Sequence, residues 1–184
     1  MCLLGQFLKG NFELKNDLSL KLGRPTVFFD RDGTLNEDTH YPHKTEDLYL
    51  IPGAAKAVRR FCSEGYLIVV ITNQSAIARG FFDISSLNLF NKALSDALLI
   101  ECARVDLILY CPHHPDITGP CLSRKPLPGL IYEATERLHI DLSKSFFIGD
   151  RSSDVACANG AGIEGHLFQG DNLYDFCERS GLFV

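Results

Sequence analysis

An α/β fold built on a parallel sheet is what the order of apolar segments predicts, and three observations carry that expectation. From Thr26 to Phe168, short runs rich in Val, Ile, Leu and Phe alternate with longer amphipathic stretches, the pattern of strands and helices taking turns. The short runs are almost continuously apolar, as strands covered on both faces are. Asp30, Thr72, Cys111 and Asp150 stand at or just past the ends of such runs, and ligands of open α/β sheets bind beyond the carboxyl ends of the strands.

Residues 1–24 mix charge and apolarity without a clear period and close on Gly23-Arg24-Pro25, so they are expected to be an N-terminal extension ahead of one domain over residues 25–184. Strands are predicted at Thr26–Asp30, Leu67–Thr72, Asp106–Tyr110, Ser145–Gly149 and His166–Phe168. Helices are predicted at Ala54–Ser63, opened by Pro52-Gly53, at Ser85–Cys102, at Gly129–Leu138, and at Ser153–Asn159, closed by Gly160 and Gly162. The result is a Rossmann-like parallel sheet flanked by helices. No stretch between Asp32 and Thr72, or between Thr72 and Lys125, is long enough for a large cap domain, so loops 37–49 and 111–121 must shape an open pocket.

The 184 residues, 46% of them hydrophobic, suit a single core. A net charge of −5 with no dominant lysine or arginine cluster argues against nucleic acid as a partner, so any phosphate must be met locally. The seven cysteines (Cys2, Cys62, Cys102, Cys111, Cys121, Cys157 and Cys177) are odd in number and scattered, as suits a reducing cytoplasm. At the N-terminus Gly5 and Gln6 interrupt Leu3-Leu4 and Lys9 follows, which leaves neither a signal-peptide core nor a membrane span. A soluble, cytoplasmic monomer is expected.

Four motifs carry chemistry. Val27-Phe28-Phe29 runs into Asp30-Arg31-Asp32-Gly33-Thr34, placing two carboxylates where a buried strand meets a turn. Carboxylates this close push their pKa values apart unless a cation is shared, so one can serve as nucleophile or metal ligand and the other as proton donor. A turn cap followed by a solvated hairpin is the competing reading of that motif alone. Thr72-Asn73-Gln74-Ser75 offers hydroxyl and amide donors for phosphate oxygens. Lys125, between Arg124 and Pro126, is a point charge able to neutralise a phosphoryl group, although a loop lysine is more often simply solvated. Gly149-Asp150-Arg151-Ser152-Ser153-Asp154 adds a further acid pair before a helix. Mg²⁺ takes oxygen ligands, commonly one or two carboxylates, and Asp30, Asp150 and the Asp32 carbonyl fit it. Asp154 reads equally well as a first-turn aspartate facing the helix dipole.

These motifs, in this order, resemble the haloacid dehalogenase superfamily of aspartyl phosphatases. Within it, Gln74-Ser75-Ala76-Ile77-Ala78-Arg79-Gly80 and Tyr110-Cys111-Pro112-His113-His114-Pro115 are most similar to the bacterial D-glycero-D-manno-heptose 1,7-bisphosphate 7-phosphatases, with histidinol-phosphate phosphatases as near relatives. The resemblance implies that Asp30 is a nucleophile forming an aspartyl-phosphate and that Asp32 is the general acid and then base. It implies that Thr72 and Lys125 hold the phosphoryl group, that Asn73, Gln74 and Ser75 line the pocket, and that Asp38, Tyr41, Arg124 and Arg151 recognise substrate. The implied role is Mg²⁺-dependent sugar-phosphate hydrolysis on the way to a nucleotide-activated heptose for surface polysaccharide. The alternatives are histidinol phosphate or another small phosphomonoester as substrate, transfer to an acceptor other than water, and an inactive scaffold. His40 departs from the pattern, which has glycine before that tyrosine.

The same resemblance points to structural zinc at Cys111, His113 and Cys121. Ser123 stands where the fourth ligand is expected, and a neutral hydroxyl replaces thiolate poorly. A zinc-free loop held by its prolines is the competing reading, with His114 as a substitute ligand.

Overall fold

The computed structural model describes residues 23–184; the extension expected at residues 1–24, and Cys2 with it, lies outside the described residues up to position 22. Five parallel strands form one sheet: β1 (Thr26–Phe29), β2 (Leu67–Asn73), β3 (Leu107–Cys111), β4 (Phe146–Gly149) and β5 (Glu164–Leu167), in the order β3-β2-β1-β4-β5. The fold is the flanked parallel sheet read from the sequence. Gly23 and Arg24 already touch it, with Arg24 N–H donating to His139 O and Arg24 O accepting from Asp141 N–H, both at 2.9 Å.

Alternation along the central strand assigns the two faces, because successive side chains point to opposite sides. Val27 and Phe29 pack with Ala54, Ala57, Val58 and Phe61 of α1 (Ala54–Ser63), Leu94 and Leu98 of α2 (Ile84–Ile100), and Leu173 of a C-terminal helix. Phe28 packs on the other face with Leu130, Ile131 and Ala134 of α4 (Gly129–Leu138) and with Cys157 and Ala158 of α5 (Ser152–Gly160). The α1 spacing of i, i+3, i+4 and i+7 is the stripe that buries one helix face.

Two helices were not expected. α3 is a single turn, Pro115–Thr118, and α6 is Leu173–Arg179. The Asn172 side chain caps α6, which buries only Leu173 and Cys177, too few apolar positions for periodicity to show. β5 begins at Glu164, two residues before the expected His166, because Gly165, His166 and Leu167 pair in register with Phe147, Ile148 and Gly149. The polar Glu164-Gly165 pair hides the start of an edge strand whose pairing is set by its neighbour. Among the described residues no helix is long and apolar enough to cross a membrane.

Candidate active site

The carboxyl ends of β1, β2 and β4 converge on one cleft. Asp30 continues the ladder beyond β1, its N–H donating to Ile148 O at 3.0 Å, so the acid is held by backbone at the centre of the sheet. Asp30, Asp32, Asp38, Tyr41, Thr72, Asn73, Gln74, Ser75, Arg124, Lys125 and Arg151 line a cleft of about 380 Å³, joined by Arg79, Ser153 and Asp154. A roomier hollow of about 820 Å³ lies beside His43, Phe81, Phe82 and Ile84, but the acids and the lysine are in the smaller cleft.

Lys125 is the hub of the floor. Its buried Nζ lies 2.5 Å from Asp30 Oδ1 and 2.7 Å from Asp154 Oδ1, and donates to Ile71 O at 2.9 Å. Burial works to lower its pKa, but Asp30 and Asp154 outweigh burial and hold the ammonium above the usual lysine range. Asn73 fixes the loop that delivers it: Asn73 Nδ2 donates to Lys125 O at 3.0 Å and Lys125 N–H donates to Asn73 Oδ1 at 3.1 Å. Asn73, expected as a pocket-lining residue, therefore also clamps the lysine.

Asp154 stands in the first turn of α5 and also faces the lysine. Its Oδ2 accepts from Arg151 N–H at 3.0 Å, capping the start of α5 from its first turn, while Oδ1 faces Lys125. Asp30, Asp150 and Asp154 each bring a carboxylate oxygen within 4.8 Å of the others. Burial raises the Asp30 pKa to about 7, with Asp154 adding to the rise and Lys125 opposing it; burial also raises Asp150, and Asp154 adds to that rise. The Lys125 ammonium, with the Arg151 guanidinium 3.8 Å from Asp150 Oδ2, sets two positive charges against three acids, and Asp150 Oδ1 is buried without a hydrogen-bond partner. A hard divalent cation fits such a donor set. Gly33 makes room for the Asp150 carboxylate: at φ +83° it passes so close that a Cβ there would sit 2.8 Å from Asp150 Cγ.

At the rim, Arg151 Nη2 donates to Asp38 Oδ2 at 2.8 Å across the cleft, and Arg124 Nη1 donates to His113 O at 3.1 Å. Arg79, not anticipated, adds a third guanidinium and lies 2.8 Å from His114 Nε2. His40 and Tyr41 both have φ of +63°, which accounts for the glycine that the resembled pattern carries at position 40, since glycine alone adopts that region without steric cost. Tyr41 packs edge-on against Phe81 with ring centres 5.5 Å apart, and His43 stacks on Phe82 at 4.7 Å.

Register places the cysteine loop beside the cleft, because Asn73 pairs with Cys111. Cys111 Sγ lies 3.7 Å from Cys121 Sγ and 3.9 Å from His113 Nδ1, which is 3.1 Å from Cys121 Sγ. Bonds of about 2.3 Å to a tetrahedral ion would separate two sulfurs by roughly 3.8 Å, so the spacing suits a metal. His114 is engaged with Arg79 and with Asp116 N–H, which donates to its Nδ1 at 3.2 Å, and is not a fourth donor. The six described cysteines are free thiols.

The chain is similar in sequence and fold to known phosphatases. The family model for polynucleotide kinase 3 phosphatase matches residues 25–169. The D-glycero-beta-D-manno-heptose-1,7-bisphosphate 7-phosphatase of Rhodopseudomonas palustris is 38% identical over 161 residues, 85% of this chain and 89% of the relative. The chain belongs to this family of haloacid dehalogenase-like phosphatases. The Photorhabdus laumondii enzyme of the same name is 41% identical over 77% of this chain and 78% of its own length. The crystal structure of D,D-heptose 1,7-bisphosphate phosphatase from B. bronchiseptica, complexed with magnesium and phosphate, superposes with a TM-score of 0.73 at 32% identity, covering 87% of this chain and 88% of that one. The present phosphatase is thus a phosphoric monoester hydrolase in fold and family.

Proposed function

We propose that this phosphatase removes the 7-phosphate of D-glycero-D-manno-heptose 1,7-bisphosphate, using Asp30 as the nucleophile. The observation that carries the proposal is the cleft's two cationic poles: Lys125 beside Asp30 on the floor, and Arg79, Arg124 and Arg151 on the rim. A ligand with a phosphate at each end satisfies both, and planar guanidinium groups suit the non-reacting phosphate. Arg151 is paired with Asp38, so a phosphate bound at the rim would share the guanidinium with that carboxylate or take it over. Histidinol phosphate, with a cationic amine in place of the second phosphate, has no use for three arginines.

The chain's own residues account for two displacements. A carboxylate oxygen of Asp30 attacks phosphorus, the bond from phosphorus to the sugar oxygen breaks, and Asp32 gives its proton to the departing alkoxide. Asp32 then takes a proton from a water, whose oxygen attacks the aspartyl-phosphate; the bond to Asp30 breaks and inorganic phosphate leaves. Lys125 and Thr72 hold the transferring oxygens throughout. Asp30, Asp150 and the Asp32 carbonyl would hold Mg²⁺, which supplies the positive charge that lets an anionic phosphoryl group approach a carboxylate. Cys111, His113 and Cys121 would hold zinc in a structural role, stiffening the loop that carries Arg124 and Lys125.

Phosphate release with Mg²⁺ from a panel of sugar bisphosphates, histidinol phosphate and a generic ester tests the substrate. The heptose bisphosphate should have the highest kcat/KM, and preference for a non-sugar ester would sink the assignment. Asp30→Asn should lower turnover by at least about a thousandfold; activity surviving it would sink the mechanism. Elemental analysis of protein purified without chelator decides zinc, near one ion per chain being expected.

A further inference from the structure

We infer that Arg31, the residue between the two aspartates, is a positioning residue that aims the carboxyl of Asp32 for proton transfer, and that Asn91 of α2 in turn holds Arg31. The inference rests on the reading of Asp32 as general acid and base.

Arg31 is fully buried although it is the longest side chain in the motif, and it is not among the residues lining the cleft. Its reach is therefore inward, to Asp32, and not to substrate. Nε donates to Asp32 Oδ1 at 2.9 Å and Nη2 donates to Asp32 Oδ2 at 2.8 Å, a two-point grip that fixes the plane of the carboxyl. Asn36 Nδ2 donates to Oδ1 and Gln74 Nε2 to Oδ2, each at 2.9 Å. Of these donors, only the guanidinium touches both oxygens, and as one rigid plane it sets the carboxyl's rotation, with the two amides in support.

Such a grip aims the acid only if the guanidinium is itself held. Arg31 Nη1 donates to Asn91 Oδ1 at 2.9 Å, Nη2 also donates to Pro42 O at 3.2 Å, and the guanidinium carbon lies 4.6 Å from the centre of the Phe90 ring. Asn91 occupies the buried stripe of α2 among Leu87, Phe90, Leu94 and Leu98, where an amide costs free energy unless it has a partner. Its partner is Arg31. The line from α2 through Asn91 and Arg31 thus ends on the Asp32 carboxyl, the group that must deliver a proton to the leaving alkoxide.

A leaving-group comparison tests this. The alkoxide of a sugar phosphate needs a proton to depart, whereas the phenolate of p-nitrophenyl phosphate departs without one, and kcat/KM reports the steps through that departure. Arg31→Lys and Asn91→Leu should each lower kcat/KM for the heptose bisphosphate by about tenfold or more beyond any loss with p-nitrophenyl phosphate, given that general acid catalysis contributes about 10²–10⁴. The change should fall on kcat and leave KM for the sugar near its original value. Asn91→Asp, which keeps an oxygen facing Arg31, should restore the original ratio between the two substrates. Asp32→Asn separates the two ideas. If Asp32→Asn does not discriminate between leaving groups, the general-acid reading fails. If it does, while Arg31→Lys and Asn91→Leu depress both substrates equally, Arg31 is only a structural residue and the inference is overturned. Should Arg31→Lys fail to fold, Asn91→Leu against Asn91→Asp carries the same comparison.

Discussion

The side-chain amide of Asn73 grips the backbone of Lys125 from both sides, accepting from its N–H at 3.1 Å and donating to its carbonyl at 3.0 Å. The two residues are 52 positions apart, yet this pair decides where the ammonium stands relative to Asp30. Asn73→Asp keeps the shape and the acceptor but removes the donor, leaving the Lys125 carbonyl unpaired. An unsatisfied buried polar group costs about 1–3 kcal/mol, and each ~1.4 kcal/mol is tenfold. A fall in kcat/KM of about ten- to a hundredfold is expected from phosphate-release kinetics, and an unchanged value would show that the lysine is positioned by other contacts.

Gly33 is required by space as well as by backbone, since a Cβ there would collide with the Asp150 carboxylate. Gly33→Ala should displace Asp150 and weaken Mg²⁺ binding more than it weakens the fold. The concentration of Mg²⁺ giving half-maximal activity should rise severalfold, and the thermal stabilisation by Mg²⁺ should shrink. A magnesium titration overlaying that of the original protein would refute this.

His40 holds φ +63°, where a non-glycine residue bears a steric cost of roughly 1–2 kcal/mol. His40→Gly should relieve part of that cost, although glycine also loses more freedom on folding. A gain of about 0.5–1 kcal/mol in urea unfolding is expected. A loss of stability would mean that the His40 side chain makes contacts worth more than the strain.

Asp83 caps α2, accepting from both the N–H and the Oγ of Ser86 at 2.8 Å. These bonds favour the charged form and hold its carboxyl below the ordinary 3.8. A group depressed in the folded state contributes stability above its unfolded pKa and loses it as pH falls through the folded value. Asp83→Asn keeps a capping oxygen that does not titrate in this range, so its Tm should fall less than that of the original protein as pH drops below about 4. Parallel Tm curves would count against the cap as an acid-sensitive contact.

Ser123→Cys would supply a third thiolate, and with it a fourth ligand, beside Cys111, His113 and Cys121. Structural zinc prefers four protein ligands, so this variant should keep zinc through dialysis against a chelator that strips the original protein. Equal loss from both would show that position 123 does not reach the metal.

Much of this molecule was legible in its sequence. The helices Ala54–Ser63 and Gly129–Leu138 have the expected bounds because their apolar stripes and flanking Gly and Pro residues are local signals. α6 and the start of the edge strand β5 were hidden for the opposite reason, one being short and held by a cap, the other polar and ordered by pairing with β4. Strand-end acids and donors could be named in advance because a parallel sheet sends every carboxyl end to one edge.

Tertiary structure alone decided what those residues do to one another. That Asp154 both caps α5 and neutralises Lys125, that Asn73 clamps the lysine's backbone, and that Arg31 turns inward to Asp32 with Asn91 behind it depends on contacts between segments brought together only by the sheet. The physical reason is range. Periodicity and turn chemistry act within a few residues and are written in the chain, whereas burial, ion pairing and the aim of a carboxyl depend on what the fold places alongside.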